Sequence, residues 1–223
     1  MMERKRRLQA GIGCLFMFAL WTILIQCVDV RPAGPRDTMV GFAAWNVWFH
    51  HLTGVNMTLY TITDWLGLVP VLICGYFGII GLKQWIRRRK LLRVDSDILI
   101  LGVYYLLVIA VYLFFEAVPV NYRPILVDGY LEASYPSSTT LLVLSVMPTL
   151  KFQADRRCAG QTIRNLASVF TILFSLLMVI GRLVSGVHWV TDIVGSVFLS
   201  TGLFLLYTAA VISMDRKKNA ARQ

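Results

Sequence analysis

Gly181-Arg182-Leu183-Val184-Ser185-Gly186-Val187-His188-Trp189-Val190-Thr191-Asp192 lies between two long apolar runs and crowds an Arg, a His and an Asp together. His188 and Asp192 are four residues apart. If the run that follows is a helix starting near His188, their side chains share one face. A carboxylate there fixes the imidazole tautomer and leaves the other ring nitrogen free as a nucleophile or base. Arg182 adds a planar fork of donors suited to phosphoryl oxygens. Gly186 lets the chain bend between Arg182 and His188.

Around this stretch the chain is apolar. Hydrophobic residues make up 57% of its 223 residues, above the share usual in soluble domains. They fall in runs of about 20, the length of a membrane-crossing helix. The spans are expected at about Leu8 to Val28, Trp65 to Trp85, Ile98 to Val118, Ser137 to Phe152, Leu166 to Leu183 and Trp189 to Ser213. The first is read as a span, because it is long for a signal peptide and lacks a clear small-x-small cleavage site. No polar stretch is long enough to fold alone. Residues 1–223 are therefore one integral membrane domain, an all-α bundle of six transmembrane helices.

Residues 29–64 form the longest polar connection. Pro32, Gly34 and Pro35 break any helix at its start. Phe42, Trp45, Trp48, Phe49 and Leu52 then recur at helical spacing, as in a helix lying on a membrane surface. His50 and His51 sit on that element. The four cysteines, Cys14, Cys27, Cys74 and Cys158, form no Cys-x-x-Cys pair, so metal and disulfide readings are weak. Neither a metal nor a cofactor is expected.

The net charge of +10 would suggest nucleic acid in a soluble protein. Here nearly all Lys and Arg lie in the N-terminus, in the connections after the second and fourth spans, and in the C-terminus. The remaining connections hold Arg31, Arg36, Arg123 and Arg182. This bias places both termini in the cytoplasm and makes anionic lipid headgroups the partner of the basic face. Arg123-Pro124, Pro136-Ser137-Ser138-Thr139 and Arg182 to Asp192 then share the opposite side of the membrane.

Those three pieces resemble the signature of the type 2 phosphatidic acid phosphatases, the lipid phosphate phosphatase and haloperoxidase superfamily. That signature reads Lys, six residues, Arg-Pro; then Pro-Ser-Gly-His; then Ser-Arg, five residues, His, three residues, Asp. The third part fits best, with Gly181 in place of the leading Ser. The resemblance covers about residues 65–210 and implies an acid phosphatase/haloperoxidase-like bundle. It implies that His188 attacks phosphorus and forms a phosphohistidine, and that Asp192 orients it. It implies that Arg123 and Arg182 clamp the phosphoryl oxygens, with Ser137 and Ser138 in the phosphate-binding segment. The soluble haloperoxidases do not fit six spans.

Two departures bear on the chemistry. Glu116 stands where the first part has Lys, and Thr139 where the second ends in His. By the resemblance that His protonates the leaving oxygen, which Thr139 cannot do near neutral pH. Losing such help bears hardest on a monoester, whose departing alkoxide is a strong base. It matters less for a diphosphate. A polyprenyl diphosphate is therefore the favoured substrate of the expected lipid phosphatase. Glu116 is a candidate substitute acid, or else an ion-pair partner of Arg123. Glu132, Asp128, His50 and His51 lie on the same side. The competing reading is a catalytically weakened relative that binds lipid phosphate or passes a phosphoryl group between lipids. A transporter is less well supported, because the charged residues cluster at one face and leave none at mid-span.

Overall fold

The computed structural model describes residues 2–220. Eight α-helices account for most of them: α1 (Met2–Cys27), α2 (Ala43–Thr53), α3 (Met57–Leu66), α4 (Leu68–Arg88), α5 (Ser96–Ala117), α6 (Ser138–Arg157), α7 (Gln161–Val184) and α8 (Val190–Ala220). Arg31–Pro32 and Met39–Val40 pair antiparallel as a two-residue ribbon between α1 and α2. A helix satisfies its own backbone polar groups, which is what an apolar chain in lipid requires. Large apolar side chains accordingly face outward along the long helices, with Leu72, Leu106 and Leu173 all more than 60% exposed.

Among the described residues, five helical segments are long and apolar enough to cross a membrane. One of them runs from Met57 to Arg88, joining α3 and α4 across Gly67. The second span was expected to start near Trp65; α3 extends it backward. Its polar residues Thr58, Thr61, Thr63 and Asp64 made this segment read as a connection.

The expected fourth span, α6, is not among the five. Its environment explains why. α6 packs against α4, α5, α7 and α8 and buries Thr140, Ser145, Thr149 and Gln153. Neighbouring helices supply partners for the Thr149 and Gln153 side chains, while Thr140 pairs with Ser137. Tyr105 Oη lies 2.6 Å from Thr149 Oγ1, and Gln153 Nε2 donates to Tyr207 Oη at 2.9 Å. Tyr104 Oη donates to Ser145 O at 3.0 Å. A helix surrounded by protein needs no lipid-facing apolar surface, and buried polar groups survive where they are paired.

α1 lies against α8, and small residues allow it. A Cβ added at Gly202 would sit 3.2 Å from Gly11 O and closer still to the Leu15 side chain, so the two backbones approach closely. The ends of the bundle differ in chemistry. At one end Arg157 Nη2 meets Asp97 Oδ2 at 2.6 Å, Arg156 Nη1 meets Asp215 Oδ2 at 2.9 Å and Arg88 Nη1 meets Asp95 Oδ1 at 2.8 Å. At the other end α2, α3, the α5–α6 loop and the α7–α8 turn converge.

Candidate active site

The α7–α8 turn is held on several sides. Gly186 takes φ of +70°, and a Cβ there would lie 1.9 Å from Gly54 O, so glycine is required twice over. His50 Nε2 lies 3.1 Å from Gly186 O, and Asn56 N–H donates to Ser185 O at 3.0 Å. His50 thus supports the turn from α2, while His51 is exposed. Asn46 Nδ2 donates to Thr191 Oγ1 at 3.0 Å, and Trp21 Nε1 donates to Thr191 O at 3.1 Å. These contacts fix the first turn of α8, which carries Asp192.

His188 sits just before α8, and the helix begins two residues later than the spacing suggested. His188 and Asp192 are buried and face each other, with Nδ1 3.7 Å from Oδ2. That is longer than a hydrogen bond. Asp192 Oδ2 instead accepts Trp189 N–H at 2.9 Å, and Oδ1 accepts Asn121 Nδ2 at 3.4 Å. Both ring nitrogens of His188 are buried without a hydrogen-bond partner among the described residues. Burial pushes the imidazole down to about 4, against the pull of Asp192, and the Arg123 charge adds to the lowering. The ring is neutral at pH 7 and keeps a lone pair.

Arg182, in the last turn of α7, is 1% exposed. Its Nη2 donates to Thr139 Oγ1 at 2.5 Å and to Asp64 Oδ1 at 3.2 Å. Its Nη1 reaches Tyr60 O and Thr63 Oγ1, each at 3.4 Å. Arg123 lies in the α5–α6 loop, which folds back through Arg123 N–H donating to Glu132 O at 3.1 Å. Arg123 Nε is 3.1 Å from Glu132 Oε2, an ion pair without hydrogen-bond alignment, and Nη1 has no hydrogen-bond partner among the described residues. One ring serves both cations: the guanidinium carbons of Arg182 and Arg123 lie 4.7 and 5.6 Å from the Tyr60 centroid. Cations favour an aromatic face at such distances.

Ser137 precedes α6 and is fully buried, with Oγ donating to Thr140 Oγ1 at 3.1 Å rather than capping the helix. Ser138 and Thr139 face a cleft of about 300 Å³ whose wall also includes Asp64, Gly67, Leu68, Tyr112 and Leu142. Asp64 and Thr139 of that wall touch Arg182, and the rest of the wall is mostly apolar. Glu116 is exposed and makes no ion pair among the described residues; Arg123 takes Glu132 instead. Asp128 is in the loop turn at φ of +50° and Gly129 follows it at +82°.

Sequence reasoning missed Tyr60, Asp64, Asn46 and Asn121. None belongs to a motif, and each matters only through a contact distant in sequence. Gly181, the departure from Ser, has a local cause: a Cβ there would meet Thr63 Cγ2 at 2.7 Å. Among the described residues no three His, Cys, Asp or Glu side chains gather closely enough to hold a metal ion. The arrangement unites two buried guanidinium groups, a neutral imidazole and a carboxylate behind it. Donors without acceptors at such a place suit an anion bearing several oxygens.

Comparison with known proteins places the fold. The family model of the PAP2 superfamily matches residues 12–214. No curated protein shows significant sequence similarity to the chain. The crystal structure of a transmembrane PAP2-type phosphatidylglycerolphosphate phosphatase from Bacillus subtilis shares the fold, with a TM-score of 0.61 and 18% sequence identity over 93% of this chain and 96% of that one.

Proposed function

Because the chain belongs to the PAP2 superfamily, we propose that it is a membrane lipid phosphatase working through a phosphohistidine on His188. The observation that carries this reading is the buried, unpartnered state of both His188 ring nitrogens beside Arg123 and Arg182. The similar Bacillus subtilis protein is a phosphatidylglycerolphosphate phosphatase, which agrees with a phosphorylated lipid as substrate.

In this mechanism the headgroup phosphate enters between Arg123 and Arg182, which hold its equatorial oxygens. Charge gathers on those oxygens in the transition state, and fixed donors in a buried site stabilise it. Neutral His188 attacks phosphorus through the nitrogen turned away from Asp192. Asp192 stabilises the imidazolium that forms and keeps the ring in place. Ser138 adds a hydroxyl at the mouth, and the apolar part of the cleft takes the lipid tail. Water then attacks the phosphohistidine and frees His188.

The favoured substrate is a polyprenyl diphosphate. Thr139 gives no proton to a leaving alkoxide, whereas a departing phosphate needs little help. The basic end of the bundle is assigned to the cytoplasm, with both termini, and the active site to the outer face of the cell membrane.

Phosphate release from a panel of lipids by the detergent-purified protein tests the proposal. A polyprenyl diphosphate should be turned over faster than phosphatidate, with vanadate inhibiting both. A clear preference for phosphatidate would contradict the substrate assignment. Lipid phosphate binding without any turnover would favour the non-catalytic relative.

A further inference from the structure

A phosphatase of this kind must hand a proton to the departing oxygen when the substrate is a monoester. The neutral imidazole of His188 is the nucleophile, and Asp192 is committed to Trp189 N–H and Asn121. Glu132 is paired with Arg123, and Glu116 forms no ion pair with either arginine among the described residues. One carboxyl remains at the mouth. Asp64 Oδ1 sits 3.2 Å from Arg182 Nη2, the atom that also holds Thr139 Oγ1 at 2.5 Å. Its side chain is 58% exposed, and it lines the cleft together with Ser138 and Thr139. It comes from α3, so no motif announces it.

We infer that Asp64 is the general acid and base of this site, so that monoesters are also turned over, with the diphosphate still favoured because its leaving phosphate depends least on that acid. The inference rests on the phosphatase reading above. In the free protein Arg182 holds Asp64. An incoming phosphoryl group takes over the donors of Arg182, and in the reacting complex Asp64 carries the proton that the leaving oxygen takes. As the His188 nitrogen forms its bond to phosphorus, the bond from phosphorus to the leaving oxygen breaks. Its electron pair stays on that oxygen, which takes the proton of Asp64 and departs as an alcohol. Asp64 is then a carboxylate and accepts a proton from the incoming water. The water oxygen bonds to phosphorus, the nitrogen–phosphorus bond breaks, and its electron pair returns to the imidazole. Inorganic phosphate leaves, and Asp64 is again protonated, as microscopic reversibility requires.

The test compares two substrates with one tail, a polyprenyl monophosphate and its diphosphate, in detergent micelles. Asp64→Asn should lower kcat/KM for the monophosphate by about 10² to 10⁴ and for the diphosphate by less than about tenfold, because a leaving phosphate depends less on acid help. Vanadate should still inhibit diphosphate turnover at nearly the wild-type concentration, which shows the anion site intact in the variant. Asp64→Glu should recover part of the monophosphate activity. Equal losses on both substrates, with or without weakened vanadate inhibition, would reduce Asp64 to a support for Arg182 and overturn the inference. So would an unchanged monophosphate rate. A wild-type protein that binds vanadate and turns over neither substrate would instead overturn the phosphatase reading itself.

Discussion

Gly181 and Thr63 touch across the α3–α7 contact so closely that a Cβ at position 181 would lie 2.7 Å from Thr63 Cγ2. The serine that the motif has at this place is therefore excluded by α3, which also brings Tyr60 and Asp64 to Arg182. Gly181→Ser should destabilise the protein by about 1–3 kcal/mol through overpacking. Adding Thr63→Ala should recover more than half of that loss. Thermal unfolding of the two single variants and the double variant in detergent measures the coupling, and strictly additive losses would contradict the contact.

The ring of Tyr60 lies beneath both guanidinium groups. Tyr60→Phe keeps that face and should change vanadate inhibition little. Tyr60→Ala removes it and should weaken inhibition about tenfold, about 1.4 kcal/mol, in line with a desolvated cation–aromatic contact. Equal effects of the two variants would assign the role to the hydroxyl.

His188 is held at about 4, below its ordinary value, chiefly by burial. The sign follows from proton binding. Between about pH 4 and 6.5 the unfolded chain binds a proton at this residue and the folded protein does not, so stability rises with pH. The contribution is present above 6.5, declines through that window and is gone below 4. It amounts to about 3 kcal/mol, and His188→Gln should flatten the stability profile in that range. The chain has three histidines, so NMR of the ¹³C-histidine-labelled protein should show one ring still neutral at pH 5. All three titrating above 6 would contradict the burial.

At the far end of the bundle, Asp97 is 8% exposed and ties α5 to Arg157 at 2.6 Å and to Arg156 at 3.6 Å. Asp97→Asn leaves these cations with a weaker partner. With the arginines partly exposed, the loss of stability should be about 1–3 kcal/mol. Turnover per folded molecule should be unchanged, since the cluster lies away from His188. A selective loss of kcat would show that the two ends are coupled.

What the sequence made legible was whatever repeats locally. The spacing of His188 and Asp192, the bend at Gly186 and five of the six apolar runs each follow from a few neighbouring residues, and these reappear in the fold. α3 was hidden because its polar face, with Thr63 and Asp64, turns toward Arg182 and reads as a loop when that partner is out of sight. α6 is apolar only in part, and tyrosines from α5 and α8 pair with its Thr149 and Gln153 side chains and its Ser145 carbonyl. The pairing of Arg123 with Glu132 rather than Glu116 depends on how the α5–α6 loop folds back. No local pattern encodes that.

One bond, between phosphorus and the imidazole of His188, is central to the proposed mechanism. Wild-type protein mixed with lipid diphosphate carrying ³²P at its terminal phosphoryl group, then quenched in alkali, should hold acid-labile, alkali-stable label on the peptide containing His188, and His188→Ala should hold none. Label that persists in His188→Ala, or phosphate release by the wild type with no labelled intermediate at any quench time, would contradict it.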